Sequence, residues 1–397
     1  MKILFLANRV PYPPFRGDKL KIYNLAKRLC NAHELHLLTF AQSAEDFQHQ
    51  AELEKVFSKV EFVSLPKWQS VLNCAEGFVS RLPFQVLYFK SAAMRRALKQ
   101  TLAQNTFDVV HVQHLRMAQY LANDRSLPRI LDLPDAFSLY WKRKYENSNN
   151  PLVKAFEGVE QRRVYQYEDK ILKQFDRTLV CSAEDLDYLA DAHRLGNLGL
   201  LPNGVDTSVF HPRNHDYSHN RTVLFTGNMD YGPNVDAVAY FAAEVFPLIA
   251  ERFPDVQFVI AGQRPVAKVQ ALAGNNIKVT GFIPNLADEY NKASVVVAPL
   301  RFGAGTQNKV LEAMAMGIPV VCSNIGFAGL GIESGEGAIM QTNPRAFADA
   351  VIELLSSEPL RRSVGEKGIE VIQHRFSWDI IAKQLEQYLS KTAQRID

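Results

Sequence analysis

Short apolar runs and longer amphipathic stretches alternate along the whole chain. In the first half Lys2–Ala7, Leu35–Phe40, Val60–Leu65, Asp108–Val112, Arg129–Leu133 and Arg177–Ser182 are brief and rich in Val, Ile, Leu or Phe. In the second half Thr222–Thr226, Gln257–Ala261, Ile277–Thr280, Ser294–Ala298 and Val320–Cys322 read the same way. Runs of this length and composition predict strands buried on both faces. Between them lie helical patterns, clearest over Asp18–Cys30, Val153–Phe175, Val235–Arg252, Pro265–Ala273, Leu286–Ala293 and Gln307–Met316. Strand and helix in strict alternation predict α/β architecture, with parallel sheets covered by helices on both sides. The tail is all helical: Pro344–Ser356, Pro359–Gln373, and a last helix from Phe376-Ser377-Trp378 to about Tyr388.

Two such alternating series, joined at the polar stretch Pro202–Asp216, fit a chain of 397 residues as two doubly wound domains. Composition changes this little: 22% charged and 47% hydrophobic residues are ordinary for a globular protein. No apolar run approaches the ~18 residues of a membrane span, and Met1–Ala7 runs into a polar loop, so it reads as a strand and not as a leader. Cys30, Cys74, Cys181 and Cys322 lack metal or redox spacing, which predicts reduced thiols and a cytoplasmic protein. Charge does change the picture. Residues 1–180 hold 27 Lys and Arg against 18 Asp and Glu, a balance of +9, and the remainder holds 18 against 24, −6. The basic half points to an anionic partner, either a phosphorylated acceptor or an anionic membrane surface, or to an unevenly charged solvated face.

The stretch Ala298–Asn324 carries the most chemistry. A strand ends in a loop with Gly303 and Gly305, Thr306 has the side chain of a helix N-cap, and Gly317 with Pro319 stops the helix before the next strand. A glycine loop feeding a helix start offers N–H groups and a positive dipole end to a phosphate. Lys309 and Glu312, three apart, share one helix face: a cation for phosphate beside a carboxylate for sugar hydroxyls. Gly227-Asn228, Gly262-Gln263-Arg264 and Gly281-Phe282 each end a strand, where a nucleotide meets backbone.

In the first half, the proline-rich loop Arg9–Lys19 follows the first strand, with Gly17 able to admit a ligand and Asp18 a candidate N-cap. It reads as an acceptor or phosphate loop at a ligand crevice, or as a capped loop alone. His111 and His114 end a strand; with no third ligand in sight, they read as crevice-lining or structural histidines and not as a metal pair. Asp132 and Asp135 follow another strand as candidate acid/base or hydroxyl-orienting groups, Asp135 being equally placed to cap the next helix. Aromatic and basic residues interleave over Phe137–Lys173; with Arg81–Lys99 they read as a membrane-surface segment or as ordinary surface helices.

Leu201-Pro202-Asn203-Gly204-Val205-Asp206, the glycine-ended strands, and Lys309–Val321 (KVLEAMAMGIPVV) resemble the retaining glycosyltransferases of family 4, over most of the chain in order. Gly227–Ala237 and Asp132–Trp141 resemble most the exosortase-associated sugar transferases of bacterial exopolysaccharide clusters. The resemblance implies a GT-B fold: an acceptor domain over 1–205, a nucleotide-sugar domain over 206–375 facing it across a cleft, and a terminal helix over 376–397 returning to the first domain. It implies a hexosyltransferase-like activity that takes a nucleotide-diphosphate sugar and a glycan or polyprenyl-diphosphate-linked acceptor. Neither metal, cofactor nor nucleic acid is called for, and the setting is cytoplasmic, at or near the inner face of the plasma membrane. The family's donor signature has two glutamates. The second falls on Glu312, expected to hold the ribose; the first falls on Ala304, which cannot hydrogen-bond a sugar. Sugar recognition is therefore expected from Gly305, Thr306, Gln307 and Asn308. The family's Arg and Lys after the first strand of the second domain are absent from Asn228–Pro233, which leaves Lys309, with Arg301, to hold the diphosphate. The family's histidine after Arg129–Leu133 is replaced by Pro134-Asp135, which leaves Asp135 or His111 to orient the acceptor. Two other classes share these features: a nucleotide-sugar epimerase of the same fold, and a binding module that has lost catalysis with its first glutamate.

Overall fold

The computed structural model describes residues 1–14, 17–122, 126–148, 150–212, 221–303 and 306–394. The chain divides into two compact units. One comprises Met1–Pro202 together with Ile381–Asp397, the other Asn203–Ile380. The first division thus falls three residues before the expected boundary and the second five residues after it.

In the first unit, β1 (Lys2–Ala7), β2 (Glu34–Ala41), β3 (Lys59–Ser64), β4 (Val109–Gln113), β5 (Arg129–Leu133), β6 (Arg177–Val180) and β7 (Leu198–Leu200) form one parallel sheet in the order β3-β2-β1-β4-β5-β6-β7. In the second, β8 (Thr222–Thr226), β9 (Gln257–Ala261), β10 (Ile277–Gly281), β11 (Val295–Ala298), β12 (Val320–Cys322) and β13 (Ala338–Met340) form another, ordered β10-β9-β8-β11-β12-β13. Each sheet winds outward from a central pair, β1/β4 or β8/β11. The crevice at the carboxyl ends of such a pair is where doubly wound sheets bind ligands.

The apolar runs are explained by burial on both faces. Along β8, Val223 and Phe225 point to one layer with Phe241, Phe246 and Phe347, while Leu224 points to the other with Val296 and Met314. Each fully buried side chain of this size contributes ~1.5–3 kcal/mol, so alternate faces of one short strand hold both helical layers. In the first unit Leu4, Leu6, Val110, Val112 and Leu131 pack against Met94, Leu98, Val164 and Ile171.

Several expected boundaries shift. The helix expected over Val235–Arg252 starts at Gly232 and is interrupted by a π-turn at Phe241–Val245. Pro265–Ala273 contracts to Ala267–Gln270 and Leu286–Ala293 to Leu286–Tyr290. The last helix runs Trp378–Ala393, well past Tyr388. Its continuation beyond Ile380 lies in the first unit: Leu385 and Leu389 are fully buried, Glu386 Oε1 lies 2.8 Å from His33 Nε2, and Gln384 and Tyr388 both donate to the Leu200 carbonyl. Its start is fixed in the second unit, where Val205 N–H donates to the Phe376 carbonyl at 2.8 Å. Gly204 is required there, because a Cβ would stand 2.7 Å from the Trp378 ring.

Candidate functional site

At the carboxyl ends of β8, β9 and β10 three glycines lie in a row. Gly227 N–H donates to the Ala261 carbonyl and Gly262 N–H to the Gly281 carbonyl. Gly262 has φ +153°, and a Cβ on it would fall 1.7 Å from the Gly227 carbonyl oxygen. The crevice edge is therefore bare backbone by necessity. Beyond it, Asn228 Oδ1 accepts from Gln263 Nε2, and Asn234 Nδ2 donates to the Asn228 carbonyl at 3.0 Å.

Asn234 ties that edge to the Asn308–Ala315 helix, since its Oδ1 accepts from Lys309 Nζ at 3.1 Å. Lys309 is only 8% exposed and its ammonium lies 5.0 Å from the centre of the Phe225 ring. Burial lowers its pKa to about 8, against an opposing pull from Glu312. It therefore remains a cation at neutral pH, thinly solvated and ready for an anion. Glu312 is anchored by Tyr290, whose hydroxyl donates to Glu312 Oε2 at 2.8 Å and lies 2.7 Å from Thr226 Oγ1. Burial raises the Glu312 carboxyl, while Tyr290 and Lys309 pull it back. Tyr290 is completely buried, and burial with the Glu312 charge holds its phenol well above the ordinary value. β8, the Leu286–Tyr290 helix and the Asn308–Ala315 helix thus converge on one carboxylate and one ammonium.

The helix start differs from expectation. The Asn308–Ala315 helix has Gln307 at its N-cap, with no side-chain cap bond, and Thr306 is a buried residue before it. Thr306 is therefore no N-cap: the chain turns into the helix one residue later. Gln307 Oε1 lies 3.5 Å from Lys309 Nζ, and Asn308 Oδ1 accepts from Asn203 Nδ2 at 3.0 Å, linking the Leu201–Asp206 motif to this helix. Gly305 and Ala304 lie outside the described residues. Arg301 is also displaced from its expected part: its guanidinium forms a two-pronged pair with Asp236, which holds its pKa up, and stacks over Tyr240. To hold a diphosphate it would first have to leave that carboxylate. Arg264, at φ +57°, and Phe282 are largely exposed at the strand ends, Arg264 lying 3.5 Å from Asp230.

In the first unit the structure separates residues that the sequence grouped. His111 has no exposed surface; it packs on Phe5 and lies 3.4 Å from Asp132 Oδ2. It cannot touch an acceptor, so that expected role is withdrawn. Asp132 is buried with it and paired to Lys21 Nζ at 2.6 Å; although burial pushes its carboxyl up, Lys21 and His111 bring it below the ordinary value. Lys21 also donates to the Leu201 carbonyl. Gly17 and Asp18 are the first two residues of the Gly17–Leu29 helix, so Asp18 is not its N-cap; its carboxylate faces Arg9 and its own helix start.

Asp135 does not cap the next helix either, because the Phe137–Glu146 helix has Ala136 at its N-cap. It lies in a cluster with Cys181 and Asp185, ligand atoms within 4.8 Å of one another, the one group among the described residues that has metal-binding proximity. The donor set is poor for a metal: Asp185 already takes Ser182 Oγ and Ala136 N–H, and the Cys181 thiol donates to the Pro134 carbonyl. Burial, and then the Asp185 charge, raise the Asp135 pKa to about 7. Nearby, His114 adopts φ +80°, stacks on Phe137 at 4.6 Å, and is kept neutral by burial with Arg116 and Arg9. Sequence reasoning missed Tyr290, Asn234, Lys21 and Asp185. Only Asn234 carried a signal, as a polar residue at a helix start after a strand-end glycine.

A model of the family "Glycosyltransferase Family 4" matches residues 22–209, and one of "Glycosyl transferases group 1" matches 220–357. The chain is 24% identical over 394 residues to an uncharacterized 44.6 kDa protein in the cps region of Klebsiella pneumoniae, covering 94% of this chain and 96% of that one. It is 26% identical over 372 residues to the phosphatidyl-myo-inositol mannosyltransferase of Mycolicibacterium smegmatis, covering 88% and 87%. Among solved structures it shares its fold with Anabaena HepE in complex with UDP and glucose, at a TM-score of 0.70, 16% identity, and coverage of 98% and 100%. With one family domain on each sheet and relatives named as sugar transferases along most of its length, this chain is a GT-B glycosyltransferase built from a family 4 domain followed by a group 1 domain.

Proposed function

We propose that the second unit binds a nucleotide-diphosphate sugar at the carboxyl ends of β8–β12, and that the enzyme transfers the sugar with retention of configuration to a glycan or lipid-linked acceptor. The observation that carries this reading is the pairing on one helix of Lys309, a buried cation, with Glu312, a carboxylate fixed by Tyr290, next to a glycine-lined strand edge. Glu312 accepts the ribose hydroxyls. Gly227, Gly262 and Gly281 let base and ribose lie against backbone. Lys309 and the N-terminus of the Asn308–Ala315 helix take the diphosphate. UDP in the HepE complex supports a nucleotide donor of this kind.

As the bond from the anomeric carbon to the diphosphate oxygen breaks, negative charge grows on the leaving group and positive charge on the sugar ring. A cation held in place by Asn234 meets that charge without reorganising, the arrangement that stabilises such transition states most. The acceptor oxygen attacks from the leaving-group side, and its proton passes to the departing phosphate. Asp135, whose carboxyl titrates near neutrality, orients the acceptor hydroxyl. No cofactor besides the donor is invoked. The likeness of Gly227–Ala237 and Asp132–Trp141 to exosortase-associated transferases supports a step in exopolysaccharide assembly in the cytoplasm.

Incubating the enzyme with radiolabelled nucleotide sugars and a bacterial lipid extract tests this. Label in a lipid or glycan product, with the donor's anomeric configuration kept by NMR, is the expected result. An altered free nucleotide sugar without acceptor product would mean epimerisation, and saturable binding without turnover would mean a non-catalytic module.

A further inference from the structure

Two neighbouring helices of the first unit are inside out. On the Lys67–Ala75 helix, Trp68, Val71 and Leu72 are 66%, 64% and 62% exposed, whereas Ser70 is fully buried. Their spacing, i, i+3 and i+4, makes one outward apolar face. On the Pro151–Leu172 helix the outward face of the first turns carries Leu152, Val153, Phe156 and Val159, while Glu157 and Glu160 point inward with 2% and 1% exposure. Between the two, Phe78 and Val79 protrude at 87% and 90% exposure.

These segments are held together as one surface. Arg163, on the second helix, donates to the Gly77 carbonyl at 2.8 Å, and its guanidinium lies over the Phe84 ring. Phe84 in turn packs on Phe156 at 5.6 Å, and its backbone N–H donates to Glu160. The inward carboxylates thus have defined partners, and the outward apolar side chains follow from a defined fold. Isolated exposed apolar residues need no explanation, but a contiguous patch does.

The charges around the patch choose its partner. Lys67, Arg81 and Arg162, each within three positions of a patch residue, are exposed, whereas Glu76 is taken by Lys90 and Glu157 by Lys144. Apolar side chains with a Trp, rimmed by Lys and Arg, match an interface of acyl chains under anionic headgroups. No helix among the described residues is long and apolar enough to cross a membrane, so the contact is with its surface. We propose that the outward faces of the Lys67–Ala75 and Pro151–Leu172 helices, with Phe78 and Val79 between them, dock the enzyme on an anionic lipid membrane. This stands apart from the donor reading, because it uses other residues and needs no sugar.

Sedimentation of the full chain with vesicles tests it, comparing phosphatidylcholine alone with phosphatidylcholine containing about one-third phosphatidylglycerol. Binding to the anionic vesicles, about tenfold or more stronger than to the neutral ones, is expected. The double substitutions Phe78→Ser/Val79→Ser and Leu152→Ser/Val159→Ser should each weaken it about tenfold with an unchanged melting curve, since these side chains are exposed. Brominated lipid should quench the wild type, and the quenching should fall in Trp68→Phe. Binding that survives both double substitutions, or no binding to either vesicle, would overturn the proposal. So would self-association that both substitutions abolish without any vesicle binding, which would assign the surface to a second copy of the chain.

Discussion

Lys309 and Glu312 show how much a residue's environment adds to its identity. The sequence places both on one helix face, three apart, and that much follows from helical geometry. It does not show that Lys309 is shut in by Asn234 and Phe225, or that Glu312 is tied to Tyr290, because those partners lie 75, 84 and 22 positions away. Substituting Lys309→Met should lower turnover about 10²-fold or more if the ammonium stabilises the leaving diphosphate, measured by initial rates at saturating donor. The sign of its pH effect follows from the lowered pKa. The unfolded chain holds this proton up to the ordinary value of 10.5, the folded one only to about 8. Stability therefore bears a penalty below about pH 8 that is relieved as pH rises towards 10.5, and Lys309→Met should match or exceed the wild type in thermal stability at pH 7. Donor affinity should run the other way, falling above about pH 8 as the cation is lost; a flat profile by titration calorimetry would remove Lys309 from the donor site. Tyr290→Phe takes away one hydroxyl and keeps the packing. It should raise the Michaelis constant for donor about tenfold, with about 1–3 kcal/mol of lost stability, because Thr226 and Glu312 lose a buried partner.

At the scale of elements, the central strands were legible because each is buried on both faces and so is written as an uninterrupted apolar run. β1, β5, β8, β9 and β12 begin and end where the pattern says. β7 and β13 were not, for a physical reason: they are three residues long at sheet edges, and β7 is Leu-Gly-Leu, too short for any period to register. Helix starts were less legible than helix bodies. Thr306, Asp18 and Asp135 all have capping side chains, yet the helices begin at Asn308, Gly17 and Phe137. Capping chemistry permits a start, and the packing of the helix decides it. The strand-end glycines were visible as residues, but their reason was not. The contact between Gly262 and the Gly227 carbonyl joins adjacent strands at one end of the sheet. Gly262→Ala should destabilise the protein by about 3 kcal/mol or more, because the new Cβ meets backbone at a positive φ. Gly274→Ala, with open space around it, should fall within about 0.5 kcal/mol of the wild type. Urea midpoints for the two variants measure the difference.

For the molecule as a whole, the chain order and the units do not coincide. The first unit is not finished when its sheet ends at Leu200. It is completed by the residues after Ile380, which the chain supplies only after building all of the second unit. Leu385 and Leu389 enter that unit with no exposure, and Glu386 reaches back to His33 across 353 positions. Two buried leucines contribute about 3–6 kcal/mol, a large share of the ~5–15 kcal/mol that holds an ordinary domain. A fragment ending at Pro202 should therefore be poorly soluble or melt far below the intact chain. Ending the chain at Ile380 should be as damaging to the first unit while the second, which keeps Val205, Phe376 and Trp378, retains its structure. The Trp378→Ala substitution separates the two effects: it removes a side chain buried against Gly204 in the second unit and leaves Leu385 and Leu389 in place. Hydrogen exchange on the three proteins reads this directly. Amides of β1, β2 and β7 should lose protection in the chain ending at Ile380. In Trp378→Ala the loss should centre on the Val205–Phe376 bond, because the helix start is pinned in one unit while its body is buried in the other.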